Sequence, residues 1–160
     1  EIINKAGISR ATFYRNFRNK DDIVKIKVKM FFELFFQDTY NRYRKIDHLD
    51  ETYLINSFFN SIDEHEKLIS TVIKTNLEYL MEEGILGIIT MQKDQFYKLV
   101  EPNESIEKYT MDIVASSAWT LVSKWIKTGK KEKASELVEI YLNTFKSVYI
   151  ALFGDKSELN

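Results

Sequence analysis

Residues Glu1–Ile23 read EIINKAGISRATFYRNFRNKDDI. Glu1 to Ala6 is predicted as the end of a helix, and Gly7, with no Cβ, suits its left-handed cap. Ser9 is placed to cap a second helix, Arg10–Phe17, by accepting a hydrogen bond from a first-turn backbone N–H. Asn19 can cap a third helix, whose first turn holds Asp21 and Asp22, where the helix dipole favours carboxylates. The layout is helix, tight turn, helix. Phe13 and Phe17 lie four residues apart and are expected to face inward onto Ile8 and Ile23. Arg10, Ala11, Thr12 and Arg15 are left to face outward.

Such a second helix fits a DNA major groove, about 12 Å wide, with its N-terminal side chains on base edges. Ser9 and the free N–H groups of the helix start suit a phosphate. Tyr14 offers a hydroxyl to a phosphate and a ring to a thymine methyl, and Lys20 can reach another phosphate. Charge agrees. Residues 1–46 hold 11 Lys/Arg against 5 Asp/Glu, a net +6, whereas residues 47–160 hold 12 against 19, a net −7. A basic head on an acidic body suggests that the head alone meets a polyanion. We therefore read DNA-binding positions at Ser9, Arg10, Ala11, Thr12, Tyr14, Arg15 and Lys20.

Beyond the head the chain reads as helix nearly throughout. It has five Gly and one Pro in 160 residues, and apolar residues recur at three- and four-residue spacing. The third helix is predicted from Lys20 to about Arg44, roughly 35 Å at 1.5 Å per residue. Further helices are predicted over Glu51–Ile62, Glu66–Met81, Leu86–Val100, Glu104–Thr128 and Glu132–Phe153. Breaks are expected at HLD, DEH, EEG, EPN and TGK. The fold class is all-α: a partial helix-turn-helix over residues 1–23, a connecting helix over 24–46, and a helical ligand-binding and dimerisation domain over 47–160.

The segment AGISRATFYRNFRNKDDI resembles the recognition half of the TetR (tetracycline-repressor-like) family of bacterial regulators. Gly7, Ile8, Ser9, Thr12, Phe13, Tyr14, Phe17, Lys20, Asp21, Asp22 and Ile23 stand in that family's register. Ala11, Asn16 and Arg18 depart from its commonest residues. Site-specific invertases and resolvases carry a similar helix at the end of the chain rather than at its start. The sequence opens without Met and inside a helix, so the family's first helix and part of its second are expected upstream. The resemblance implies a cytoplasmic bacterial transcription regulator of the repressor type. It would bind a palindromic double-stranded operator as a homodimer and could be released by a small-molecule effector. The alternative is a helical protein-interaction module, a co-regulator whose head does not bind DNA.

In the resembled family the last two helices pair two subunits. Here Glu132–Phe153 carries Ala134, Val138, Tyr141, Phe145, Val148 and Leu152 at alternating steps of four and three, a seam suited to helix pairing. The preceding helix offers Ala118, Leu121, Val122 and Trp125. These residues, with Val138, Tyr141, Phe145, Val148 and Leu152, form the expected dimer interface. KMFFELFFQDTYNRY places aromatic rings along the connecting helix. An effector pocket is expected beside it, lined by Phe35, Phe36, Tyr40, Phe58, Phe59, Tyr79, Met91 and Phe96.

No enzymatic signature stands out. There is no cysteine, so neither a disulfide framework nor a thiolate metal site can form. His48 and His65 lack a second cluster at ligand spacing, so no metal is expected. Gly84 and Gly87 in GILG lack phosphate-loop spacing and its lysine. No cofactor is expected, and no apolar run is long enough to span a bilayer.

Overall fold

Gly7 adopts φ +64°, and its N–H donates to the Asn4 carbonyl at 3.3 Å while that of Ile8 donates to Ile3 at 3.3 Å. This closes the first helix as the glycine predicts. The computed structural model describes residues 2–43, 51–91 and 104–153, with side chains described throughout except at 40, 43, 51–52, 104–108 and 145–153. Among these residues there are eight helices and no strand: α1 (Ile2–Ala6), α2 (Arg10–Asn16), α3 (Asp21–Tyr43), α4 (Glu51–Glu64), α5 (Glu66–Lys74), α6 (Tyr79–Met91), α7 (Glu104–Lys127) and α8 (Ala134–Phe153). No helix among them is long and apolar enough to cross a membrane.

The starts of the helices follow local chemistry. Asn19 Oδ1 accepts from the N–H groups of Asp21 at 2.8 Å and Asp22 at 3.1 Å, capping α3. The Asp22 carboxylate accepts in turn from the Arg18 N–H at 2.8 Å. At α8 the Glu136 carboxylate reaches back to the Lys133 N–H at 2.9 Å, half of a capping box. This starts the helix at Ala134 rather than at the predicted Glu132.

Two predicted breaks differ from the structure. The expected single helix Glu66–Met81 is broken after Lys74. Asn76 takes φ +56°, and Leu77 N–H donates to Val72 at 3.1 Å, so the chain turns and restarts as α6 at Tyr79. Asn is among the few residues that enter this left-handed region at modest cost. The break expected at EEG is absent, and Gly84 sits inside α6. Its lack of a side chain serves packing there, because the ring edge of Phe32 fills the place a Cβ would take. The break at DEH holds at His65, and that at TGK holds with Gly129 at φ +83° and Lys130 at φ +53°. The expected breaks at HLD and EPN, and residues 92–100 of the predicted Leu86–Val100 helix, lie outside the described residues.

The core forms where α6 lies along α7 and α4 along α8, with α3 laid over α4, α5 and α6. Phe59, Ile62, Ile69, Met81, Val72 and Val122 are its largest fully buried side chains. Burying each stabilises by roughly 1.5–3 kcal/mol. The aromatic stripe of α3 contributes Phe31, Phe32 and Phe35 to this core, below Val24 and Val28. Phe31 and Phe32 stack edge to face at 5.1 Å, and Phe35 meets Phe58 at 5.8 Å. The head and the body thus share one continuous helix.

Candidate nucleic-acid interface

The head is organised around α2. Ser9 takes extended backbone angles, and its Oγ accepts from the Thr12 N–H at 3.0 Å. The Thr12 hydroxyl bonds the same Oγ at 2.9 Å. Thr12 is therefore half-buried and its hydroxyl belongs to the cap. Asn16, one of the departures from the resembled pattern, turns its side-chain amide onto the Thr12 carbonyl at 2.8 Å. Phe13 is buried and packs against Phe17 and Tyr14, each with ring centroids 5.3 Å apart. Phe17 and Ile23 are half-buried, while Ile8 is exposed.

What remains outside is the set Arg10, Ala11, Tyr14 and Arg15, all exposed, with Tyr14 at 65%. At 100° per residue, Arg10 and Tyr14 form one i, i+4 row and Ala11 and Arg15 the next. Two guanidinium groups and a phenol therefore share one convex face, backed by the small Ala11. Ser9 and Lys20 are also exposed and flank this face at the N-cap and before α3. Hydrogen-bond donors on such a face suit phosphates, and arginine forks suit base edges.

The residues expected at a dimer interface divide. Ala118, Val122, Trp125 and Val138 are buried within the protomer, so they have no surface to offer a second chain. Ala118, Val122 and Trp125 pack into the core because α7 lies on α6, and Val138 because α8 lies on α4, where Phe59 meets Tyr141 at 6.3 Å. Leu121 and Tyr141 are half-buried, and the side chains of Phe145, Val148 and Leu152 lie outside the described residues. The outward face of the pair is carried by Tyr109 and Ile113 on α7 and by Ile140 on α8, which are 64%, 62% and 48% exposed. The Tyr141 hydroxyl donates to the Val114 carbonyl at 3.2 Å and ties α8 to α7. Counting helix faces from the protomer's own core would have found this set, and counting heptads does not.

The residues expected to line an effector pocket divide as well. Phe35, Phe58 and Phe59 are buried in the core and Phe36 is half-buried, packed beside Gly87. Tyr79 and Met91 are exposed, Phe96 lies outside the described residues, and so does the Tyr40 side chain. An open groove of about 410 Å³ lies elsewhere, between α6 and α7, with Trp119 at its floor. Glu78, Ser123 and Lys127 line it, and Glu78 Oε1 accepts from Ser123 Oγ at 3.4 Å and from Lys127 Nζ at 2.9 Å. Among the described residues no group of three or more His, Asp or Glu side chains could hold a metal. His65 turns Nδ1 toward the Ser61 carbonyl at 2.8 Å and sets its ring edge-on to Phe31 at 5.2 Å.

Residues 1–25 match the family model of bacterial regulatory proteins, tetR family. No curated protein and no solved structure matches the chain. The matched stretch covers α1, α2 and the first turn of α3, which are the elements that build the cationic face. The match supports a DNA-binding transcription regulator, and the described residues are all-helical. The likeness to that family is carried by the head, residues 1–25 of 160, and a helical body lies behind it.

Proposed function

We propose that the protein represses transcription by binding a palindromic operator as a homodimer, in the cytoplasm of a bacterium, and that a small-molecule effector releases it. The observation that carries the reading is the exposed Arg10–Tyr14–Arg15 face on a capped helix whose opposite side is anchored by buried Phe13. Two such helices, related by a two-fold axis, enter successive major grooves about 34 Å apart. Ser9, Tyr14 and Lys20 hold phosphates, and Arg10, Arg15 and the small Ala11 read bases. Thr12 acts chiefly through the cap. The two protomers meet through Tyr109, Ile113 and Ile140, beside Leu121, Tyr141 and the rest of α8.

An effector weakens operator binding only if it prefers a protomer arrangement whose heads are wrongly spaced. Moving the population from mostly competent to mostly incompetent needs a differential affinity on the order of 10⁴-fold. Phe35, Phe36, Phe58 and Phe59, packed along α3 and α4, are the rings whose parting would tilt α3.

The test is selection of bound duplex from a random pool with the full natural chain. The expected result is a palindrome with half-sites about one helical turn apart, and binding that weakens steeply as salt rises. Recovery of no sequence preference, or binding indifferent to salt, overturns the proposal.

A further inference from the structure

At Gly84, α6 receives the ring of Phe32 from α3. A Cβ built there would stand well inside 3.0 Å of Phe32 Cδ2, Cε2 and Cζ, a separation that real Cβ atoms essentially never show. Phe32 has little room to retreat. It is 6% exposed and stacked edge to face on Phe31 at 5.1 Å. Nor can α6 easily yield, since Met81, Ile85 and Ile88 bury it on the other helices. One turn further along α6, Gly87 faces Phe36, where an added Cβ would make only an ordinary 3.7 Å contact. A glycine inside a helix costs about 1 kcal/mol relative to alanine. At Gly84 that cost accompanies a contact no other residue permits.

We infer that the seat of Phe32 on Gly84 is a positioning joint: it sets the tilt of α3 over the body and so the spacing at which paired heads meet DNA. The inference rests on the dimeric, operator-binding reading above. Its leverage follows from length. Phe32 lies midway along α3, eleven residues from Asp21 and eleven from Tyr43. A displacement on the order of 1 Å at Phe32, pivoting at the Tyr43 end, becomes about 2 Å at Asp21 by the constant rise of a helix. Two heads then change their separation by up to about 4 Å, comparable with one base-pair step of about 3.4 Å. A void at the same contact would act through looseness rather than displacement. The contact lies midway along α3, well away from α2, so the joint acts on spacing rather than on the chemistry of α2.

The experiment uses the full natural chain and the operator it selects, tested with the spacer lengthened and shortened by single base pairs and beside an isolated half-site. Gly84→Ala is expected to lower affinity for the selected operator at least tenfold and to shift the preferred spacer. Half-site binding and dimer formation stay at wild-type levels. Adding Phe32→Leu to Gly84→Ala, which trims the clashing ring, is expected to restore the original spacing. Gly87→Ala is expected to behave as wild type. Where Gly84→Ala does not fold, Phe32→Leu alone reads the same joint, and a broadened spacer preference is expected. Unchanged affinity and spacing in Gly84→Ala, or an unchanged spacer preference in Phe32→Leu, overturns the inference and leaves the operator reading standing. So does a loss of half-site binding in parallel with the operator. A wild-type chain that selects no operator overturns the function reading and the joint together.

Discussion

Lys130 donates to Glu66 across 2.8 Å and ties the turn between α7 and α8 to the first turn of α5. The same ammonium bonds Asp63 at the end of α4 and lies 5.4 Å from the centroid of the Trp125 ring. Asp63 and Glu66 flank His65, whose ring rests on Phe31 of α3. The clasp thus connects the α7–α8 pair to the junction that supports the connecting helix. Lys130 maintains it with a left-handed backbone, φ +53°.

Lys130→Met removes both ion pairs and the cation above the indole. Because Asp63 and Glu66 are about half exposed, each pair contributes about 1 kcal/mol or less. We expect a loss of about 1–2 kcal/mol, read as a fall of roughly 3–6 °C in Tm. Lys130→Gly is expected to lose less, since glycine relieves the left-handed strain. The hydrogen bonds to Asp63 and then Glu66 raise the Lys130 pKa above its ordinary 10.5. The contribution is therefore complete below pH 10.5 and disappears as pH climbs through the raised value.

Ser9→Ala deletes the cap of α2, leaving the Thr12 N–H without its acceptor. The expected cost is about 1 kcal/mol of local helix stability. Hydrogen exchange at residues 10–16 should quicken, while exchange in α5 and α7 stays unchanged.

Arg15→Ala removes one guanidinium from the exposed face. We expect relaxed preference at one or two base positions and a loss of about 1–3 kcal/mol in discrimination. Lys20→Ala is expected instead to weaken all sequences alike and to lower the salt slope by about one unit. Quantitative selection with each variant separates the two, and an unaltered sequence preference in Arg15→Ala refutes its role as a base reader.

Ile113→Asp places a carboxylate on the outward face of α7. Ile113 is 62% exposed in the protomer, so the protomer's own stability should change by less than about 0.5 kcal/mol. Dimerisation, followed by sedimentation or light scattering, should be abolished. A variant that remains dimeric shows that the pairing face lies elsewhere.

Burial, opposed by a hydrogen bond from Ser117, pushes the Tyr141 phenol up to about 12 from its ordinary 10. Its folded pKa is the higher one, so the unfolded chain ionises first as pH rises. The stability held by this group is fully present below pH 10 and is lost between pH 10 and about 12. The difference in unfolding free energy between wild type and Tyr141→Phe should narrow or reverse across that window, by on the order of 2–3 kcal/mol.

Where a feature depends on neighbours within about four residues, the sequence by itself determined it. Gly7, Ser9, Asn19 and Gly129 end or begin helices because each supplies a special dihedral or a side-chain acceptor at short range. The exposed face of Arg10, Tyr14 and Arg15 follows from the same local geometry with Phe13 turned inward. Tertiary structure decided the rest. Gly84 reads as a helix breaker until Phe32, far away in sequence, is seen occupying its missing side chain. Val122, Trp125 and Val138 read as a seam for a second chain until α6 is found lying against α7 and α4 against α8. Apolar periodicity states that a face must be covered, but water is expelled equally well by the protomer or by a partner. Only the packing of distant helices chooses between them.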